Sequence, residues 1–417
     1  MTKKNRWDQF KRIVKFFSLQ SLIQLSEGLA GILIIRFLTK LDYSIYTLAN
    51  SILTSLNTLS ELGVSSKVLS IGGKVWEDKA EMTRLLAAYN YLRGRMALFA
   101  SLVILPIMFY LFRQNGFSIG VFLLCVALCG LTFWYLFLYR GYRLVLLLNN
   151  EVFQVQRPLL ITAAVRLGLV FLLGLLFFNF WVALVLTLLM NVGNYFLLRK
   201  RAQPFIQLQV SQPEKYQGEF QQFVQRQIPY YSYIVLQGQI TVLLITFFGE
   251  TSMLADFGAV TRITLAVTLL NAYLTSVVYP NMVKIRIRQA FVRTYIRYFA
   301  LIVGLGVALV VGIYLLQDVY IWIIGNQYEN VKPFLPLMTL VVAVRMLLSL
   351  VYGVNYAKGW IEQTWVIIPV TIISQVAFIF LLDLSTLEGI LLFNLITELP
   401  NLLVNGVFSF QGIAKFD

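Results

Sequence analysis

Between Phe17 and Ser66 the chain runs through two apolar stretches, FSLQSLIQLSEGLAGILIIRFL and IYTLANSILTSLNTLSELGVSS, separated by the short break TKLDYS. Each stretch has about the 20 residues that an apolar helix needs to cross roughly 30 Å of hydrocarbon, and the break is short enough to force a hairpin. The polar residues inside the hairpin are ordered. Gln20, Gln24, Glu27 and Gly31 follow a 4, 3, 4 spacing, and Asn50, Thr54, Asn57 and Glu61 repeat it, so each set lies along one face of its helix. Such faces do not belong against lipid. They either pack through interhelical hydrogen bonds or line a water-filled cavity, and the carboxylates of Glu27 and Glu61 favour the cavity.

The same reading along the rest of the chain predicts spans near residues 96–112, 117–138, 158–178 and 180–198. A polar stretch, 199–226, follows, and then spans near 228–248, 253–279, 297–316, 334–356, 364–382 and 386–408. With the opening hairpin this makes twelve. Ahead of it, Trp7, Phe10, Val14 and Phe17 share a helical face that Lys4, Lys11 and Lys15 avoid, which predicts an interfacial amphipathic helix over 1–15. The organisation expected is therefore that helix, an N-terminal lobe over 16–198, a linker over 199–226 and a C-terminal lobe over 227–417.

Composition agrees with an all-α integral membrane protein. Of 417 residues 59 % are hydrophobic and only 13 % charged, where a soluble chain carries about a quarter, and the mean hydropathy is +0.76. The net charge of +15 does not indicate nucleic acid, because the basic residues sit in short clusters between apolar runs. In the twelve-span layout twenty-seven of the 34 lysines and arginines fall on one side, and Arg36, Lys40, Arg113 and Lys332 on the other. By the positive-inside rule both termini are expected in the cytoplasm. Cys125 and Cys129 lie four apart in an apolar run and there is no histidine, so no metal site is expected. No glycine-rich phosphate loop is apparent, and no catalytic residues are proposed.

Three basic residues remain, Arg166, Arg262 and Arg345, each near the middle of a predicted span. A guanidinium there costs about 2.5–3.5 kcal/mol on insertion scales. Either each pairs with a carboxylate to pack helices, or together they form a path for an anion; a guanidinium stays charged and bonds two phosphate oxygens at once. Arg140 and Arg143, at the end of the fourth span, are read either as ordinary positive-inside residues or as a lure at an entrance. The intramembrane acids are Glu27, Glu61, Glu398 and, nearer the outer face, Asp256. They are either static partners of the arginines or groups that switch protonation, a basis for proton or sodium coupling. Gln20, Gln24, Asn50, Thr54, Asn57, Asn191, Asn194, Gln237 and Gln239 could face polar substrate.

Shifted by about 211 residues, the opening hairpin has a counterpart in the seventh and eighth spans, with Phe257 where Tyr46 stands. Two six-span halves of parallel orientation suit a pseudo-two-fold axis along the membrane normal, an arrangement used by transporters. GLAGILIIRFLTKLDYSIYTLANSILTSLNTLSELGVSSKVL resembles the first two spans of the polysaccharide flippases of the MOP (multidrug, oligosaccharidyl-lipid, polysaccharide) superfamily, and LADFGAVTRITL followed by VVYPNM is similar to their eighth span. Ser44 departs from the glycine usual after the first break. The resemblance implies two six-helix lobes around a central cationic cavity in the bacterial inner membrane. It implies undecaprenyl-diphosphate-linked oligosaccharide as substrate, moved by alternating access, and a polysaccharide polymerase and chain-length regulator as partners. No cofactor is implied. An ion need not be coupled either, since moving negative charge outward is favourable by roughly 2.3 kcal/mol per charge per 100 mV.

Two other readings stand beside this one. An ion-coupled drug or metabolite exporter of the same superfamily shares the layout, although cationic drugs would call for carboxylates and aromatics in place of arginines. A membrane glycan polymerase or ligase shares the hydropathy but carries a sizeable outer loop, and the longest expected here is only Gln317 to Lys332.

Overall fold

The computed structural model describes residues 3–61, 64–149, 151–207, 214–274, 278–279, 282, 285–358, 360 and 367–415, and it is helical with no strand among them. The side-chain faces expected over 1–15 lie outside the described residues; the backbone there is helical from Lys3 and continuous with the first span. The chain divides into two compact units, Met1–Val242 and Leu243–Asp417.

The first unit holds α1 (Lys3–Phe37), α2 (Lys40–Glu61), α3 (Val64–Val75), α4 (Lys79–Gln114), α5 (Ile119–Leu148), α6 (Val152–Leu176) and α7 (Phe180–Ala202), together with most of α8 (Glu214–Phe248). α1 packs along α6, α5 along α7, α2 along α4, and α6 along α7. The pairing of α1 with α6 depends on Gly174, because a Cβ there would overlap the ring of Phe37. Short polar caps end these helices. Ser118 accepts the Val121 amide at the start of α5, and Asn179 accepts the Val182 amide at the start of α7. Gly116, at φ 78°, turns the chain between α4 and α5, a conformation that costs a residue with a Cβ.

The second unit contains α9 (Thr251–Val260), α10 (Leu265–Tyr273), α11 (Arg288–Leu315), α12 (Gln317–Ile324), α13 (Leu335–Lys358), α14 (Ile367–Leu381) and α15 (Leu387–Ala414). α13 is its centre, packed by α11 on one side and α15 on another, and α14 packs on α15. Gly306 lets α11 approach α13 closely, since a Cβ there would come 3.0 Å from that of Ala343.

Among the described residues eight helices are long and apolar enough to cross a membrane. The other four expected spans fall short for separate reasons. The polar stripe of α2 dilutes its hydropathy. The apolar part of α8, Ser232–Phe248, and α14 are short. The eighth span is broken between α9 and α10 by a 3₁₀ turn, Thr261–Thr264, which carries Arg262. That turn is held by hydroxyls: Thr261 Oγ1 donates to the Gly258 carbonyl at 2.9 Å and Thr264 Oγ1 to the Thr261 carbonyl at 2.6 Å.

The polar connection expected between the second and third spans is itself helical, as α3 and the first turns of α4. Part of the 199–226 stretch folds onto it. Tyr216, Phe220 and Val224 of α8 are buried against Val64, Val68, Leu85 and Leu92. Beside this patch Glu81 accepts Lys215 Nζ at 2.7 Å, Arg84 Nη1 at 2.6 Å and the Tyr216 hydroxyl at 2.6 Å. Burial and the bond to Glu81 push the Tyr216 phenol up to about 12, so it remains a donor at any physiological pH. Glu81→Ala removes the acceptor of all three donors. It is expected to loosen the first turns of α8, residues 214–225, by about 1.5–3 kcal/mol, the worth of a hydrogen bond to a charged group, read as faster limited proteolysis or hydrogen exchange there.

Candidate functional site

Arg166 stands near the middle of α6 and is half-buried. Its Nη2 donates to the Tyr46 hydroxyl of α2 at 3.4 Å and to Thr187 Oγ1 of α7 at 3.1 Å, and its Nε is buried without a hydrogen bond. The charge of Arg166 attracts Glu27 on α1, whose side chain is exposed. Four helices therefore meet around one guanidinium whose hydrogen bonds go to neutral hydroxyls. One turn earlier on α6, Thr162 donates to Asn194 Oδ1 at 2.6 Å, while Asn191 Nδ2 donates to the Thr187 carbonyl at 2.8 Å. The amide oxygens of Gln24, Asn57, Asn191 and, on α8, Gln239 are buried with no hydrogen bond to protein. Asn50 turns its amide back to the Tyr46 carbonyl at 2.9 Å, and Thr54 is exposed.

Glu61, at the end of the polar stripe of α2, is the hub of a second cluster. Its Oε2 lies 3.1 Å from Arg93 Nε and 3.8 Å from Arg140 Nη1, and it accepts the Tyr89 hydroxyl at 3.3 Å. Oε1 accepts both the backbone amide of Ser65, at 3.0 Å, and its hydroxyl. Arg93 is fully buried. It donates to the Tyr89 hydroxyl at 2.8 Å and the Phe137 carbonyl at 3.3 Å, and its guanidinium lies over both rings, 5.1 and 4.9 Å from their centres. The charge count along the sequence had placed Arg93 with the cytoplasmic loop residues. The signal that could have marked it is the spacing of Tyr89 and Arg93, one turn apart with Leu85 and Leu92 beside them.

In the second unit Arg345 of α13 is paired. Its Nε donates to Glu398 Oε1 at 2.9 Å and its Nη2 to Asn394 Oδ1 at 3.2 Å, both on α15. The guanidinium remains about a third exposed. Arg262 lies on the 3₁₀ turn that packs against α13. Asp256 is buried and accepts Asn330 Nδ2 at 2.6 Å, which ties α9 to the segment 326–334. Arg262 on its turn apart, the expected charged site residues thus fall into four groups: Arg166 with Glu27, Glu61 with Arg140, Arg345 with Glu398, and Asp256 beside the loop. Cys125 and Cys129 are free and buried in α5.

No protein-family model matches the sequence, and no curated protein matches it. Solved structures do. The chain is similar to the lipid II flippase MurJ in an inward closed conformation, with a TM-score of 0.67 and 13 % identity over 95 % of this chain and 87 % of that one. It is also similar to an outward-facing multidrug resistance MATE family transporter of the MOP superfamily, with a TM-score of 0.60 and 15 % identity over 97 % and 94 % of the two chains. A third likeness is to the eukaryotic MATE transporter AtDTX14, with a TM-score of 0.57 and 15 % identity over 96 % of each chain. These likenesses establish the fold, which is the all-α fold of the MOP-superfamily transporters. With its long apolar helices, the chain is a multi-pass membrane protein.

Proposed function

We propose that this protein is a flippase that moves lipid-linked oligosaccharides, carried on undecaprenyl diphosphate, across the bacterial inner membrane for surface polysaccharide synthesis. The observation that carries the reading is Arg166, a guanidinium inside a span whose hydrogen bonds go to two hydroxyls and whose Nε is unbonded. Such a group keeps donors for phosphate oxygens, and Asn191 and Gln24 add polar groups for sugar hydroxyls. The likeness to a lipid II flippase, whose name describes a lipid-linked cargo, supports the same class. In the second unit Arg262 and Arg345 are the further candidates, Arg345 with Glu398 as its partner and about a third of its side chain exposed, and Arg140 offers a partly exposed guanidinium beside Glu61.

In this reading Glu27 is the coupling acid. It faces Arg166 electrostatically and is exposed, so an anion arriving at Arg166 releases it to take a proton or a sodium ion. Glu61, Glu398 and Asp256 hold their partners in place. Both termini lie in the cytoplasm, and the delivered units pass to a polymerase working with a chain-length regulator.

The test is translocation of radiolabelled lipid-linked oligosaccharide by purified protein in vesicles. Label is expected to become accessible to glycosidase on the far side, with no efflux of cationic dyes. Dye efflux without translocation would favour the exporter reading, and joining of glycan units by the protein alone would favour the polymerase.

A further inference from the structure

At the end of the α6–α7 pair opposite the Asn179 turn, Arg201 of α7 reaches across to the backbone of α6 one turn before Arg157. Arg157 is exposed on the second turn of α6 and makes no hydrogen bond or ion pair among the described residues. Arg201, half-buried on the last turn of α7, donates from Nη1 to the Gln154 carbonyl at 2.9 Å, and the charge of Arg157 repels it. Glu151, the N-cap of α6 and the acid nearest in sequence, caps no amide and pairs with neither.

The placement of Arg201 has an ordinary cause, because a cation near a helix C-terminus offsets the exposed carbonyls. Arg157 belongs to the basic residues of the same side of the membrane, yet it makes no ion pair among the described residues. It sits near a helix N-terminus, where the dipole already favours an anion, and it lies close to a second cation. Both features raise the local positive potential, and no carboxylate among the described residues pairs with either arginine.

The surroundings indicate what does. Val155, Leu198 and Ala202, neighbours of the arginines in sequence, belong to one buried apolar cluster with Tyr139 and Tyr142 packed against it. Tyr195 packs edge-to-face against Tyr135 at 5.5 Å and at a tilt against Tyr142 at 6.0 Å, and Arg199 donates to its hydroxyl at 2.9 Å. Tyrosines of this kind mark the level of lipid headgroups. An anion held there sits at the membrane interface, and Ile161, one turn further along α6 from Arg157 and exposed, offers apolar surface for a chain.

We infer that Arg157 and Arg201 form a binding site for the phosphate of an anionic membrane lipid, on the lysine- and arginine-rich side of the first unit. The inference stands apart from the transport reading: the ligand is a resident lipid, and the site is outside the Arg166 cluster.

The experiment uses the full chain purified in mild detergent, with thermal unfolding and native mass spectrometry after addition of phosphatidylglycerol, phosphatidylcholine or inorganic phosphate. Phosphatidylglycerol is expected to stay bound and to raise the unfolding temperature, while phosphatidylcholine and inorganic phosphate at equal concentration do neither. Arg157→Gln/Arg201→Gln is expected to weaken phosphatidylglycerol binding by roughly 30-fold, about fivefold for each surface arginine. Arg157→Lys/Arg201→Lys retains most of the binding, and Arg113→Gln, on the opposite side, leaves it unchanged. Should the double variant fail to fold, Arg157→Gln alone still reports, because that side chain bonds nothing among the described residues. Unchanged phosphatidylglycerol binding in Arg157→Gln, or equal retention of phosphatidylcholine, overturns the inference. Equal stabilisation by inorganic phosphate overturns the lipid assignment in favour of a free-anion site.

Discussion

Glu61→Gln destabilises the folded protein by about 3–5 kcal/mol, the cost of leaving one member of a buried ion pair uncompensated. The residue left behind is Arg93, fully buried, with Glu61 as its carboxylate at 3.1 Å. The remaining contacts are a hydroxyl, a carbonyl and two ring faces. They orient the guanidinium without neutralising it. Glu61→Gln/Arg93→Met removes both charges and fills the volume, and it recovers most of the loss. Arg140→Gln changes stability by less than about 1 kcal/mol, because this arginine is 31 % exposed and 3.8 Å from the carboxylate. Thermal unfolding in detergent measures all three. Equal stability of Glu61→Gln and the wild type would mean that the aromatic cage alone accommodates Arg93.

Arg166→Gln, by contrast, leaves the folded protein in the membrane and removes transport. Its hydrogen bonds run to Tyr46 and Thr187, two hydroxyls that lose little when the cation goes. A substrate diphosphate loses charge-assisted bonds worth about 1.5–3 kcal/mol each, so two such bonds lower the translocation rate at limiting substrate by roughly a hundredfold or more. Arg166→Lys keeps the charge but has one ammonium in place of a planar fork. It cannot hold Tyr46, Thr187 and phosphate together, and it recovers only part of the rate. The measurement is vesicle translocation normalised to folded protein. Full activity in Arg166→Gln would take this residue out of the pathway and leave it a packing role.

The contrast between these arginines shows what a sequence reveals and what it conceals. Arg166 stood out because it interrupts an apolar span, and the stripe containing Gln24 and Glu27 followed from helical periodicity. The partners were not legible. Tyr46 and Thr187 are remote from Arg166 in the chain and resemble ordinary span residues. Glu398 lies 53 positions from Arg345, and only the fold brings them to 2.9 Å. Arg93 was concealed for another reason: α4 runs on well beyond its apolar stretch, so a residue that composition assigns to a loop is packed inside the bundle. The break at Arg262 has no proline to announce it and is made by threonine hydroxyls bonding back to the helix. Hydropathy located the helices, while the distances between their polar groups belong to tertiary structure.

The polar face of α2 has a consequence for how the chain is made. Released alone from a translocon, this segment would present Asn57 and Glu61 to acyl chains, and Glu61 would lack the partners that α4 and α5 later supply. Only Leu38 and Thr39 separate it from α1. The two segments are thus committed to leave the ribosome's channel as one hairpin. The nascent chain then has to wait for its fourth helix before Glu61 meets its counter-ion, which makes this corner an early checkpoint for quality-control proteases.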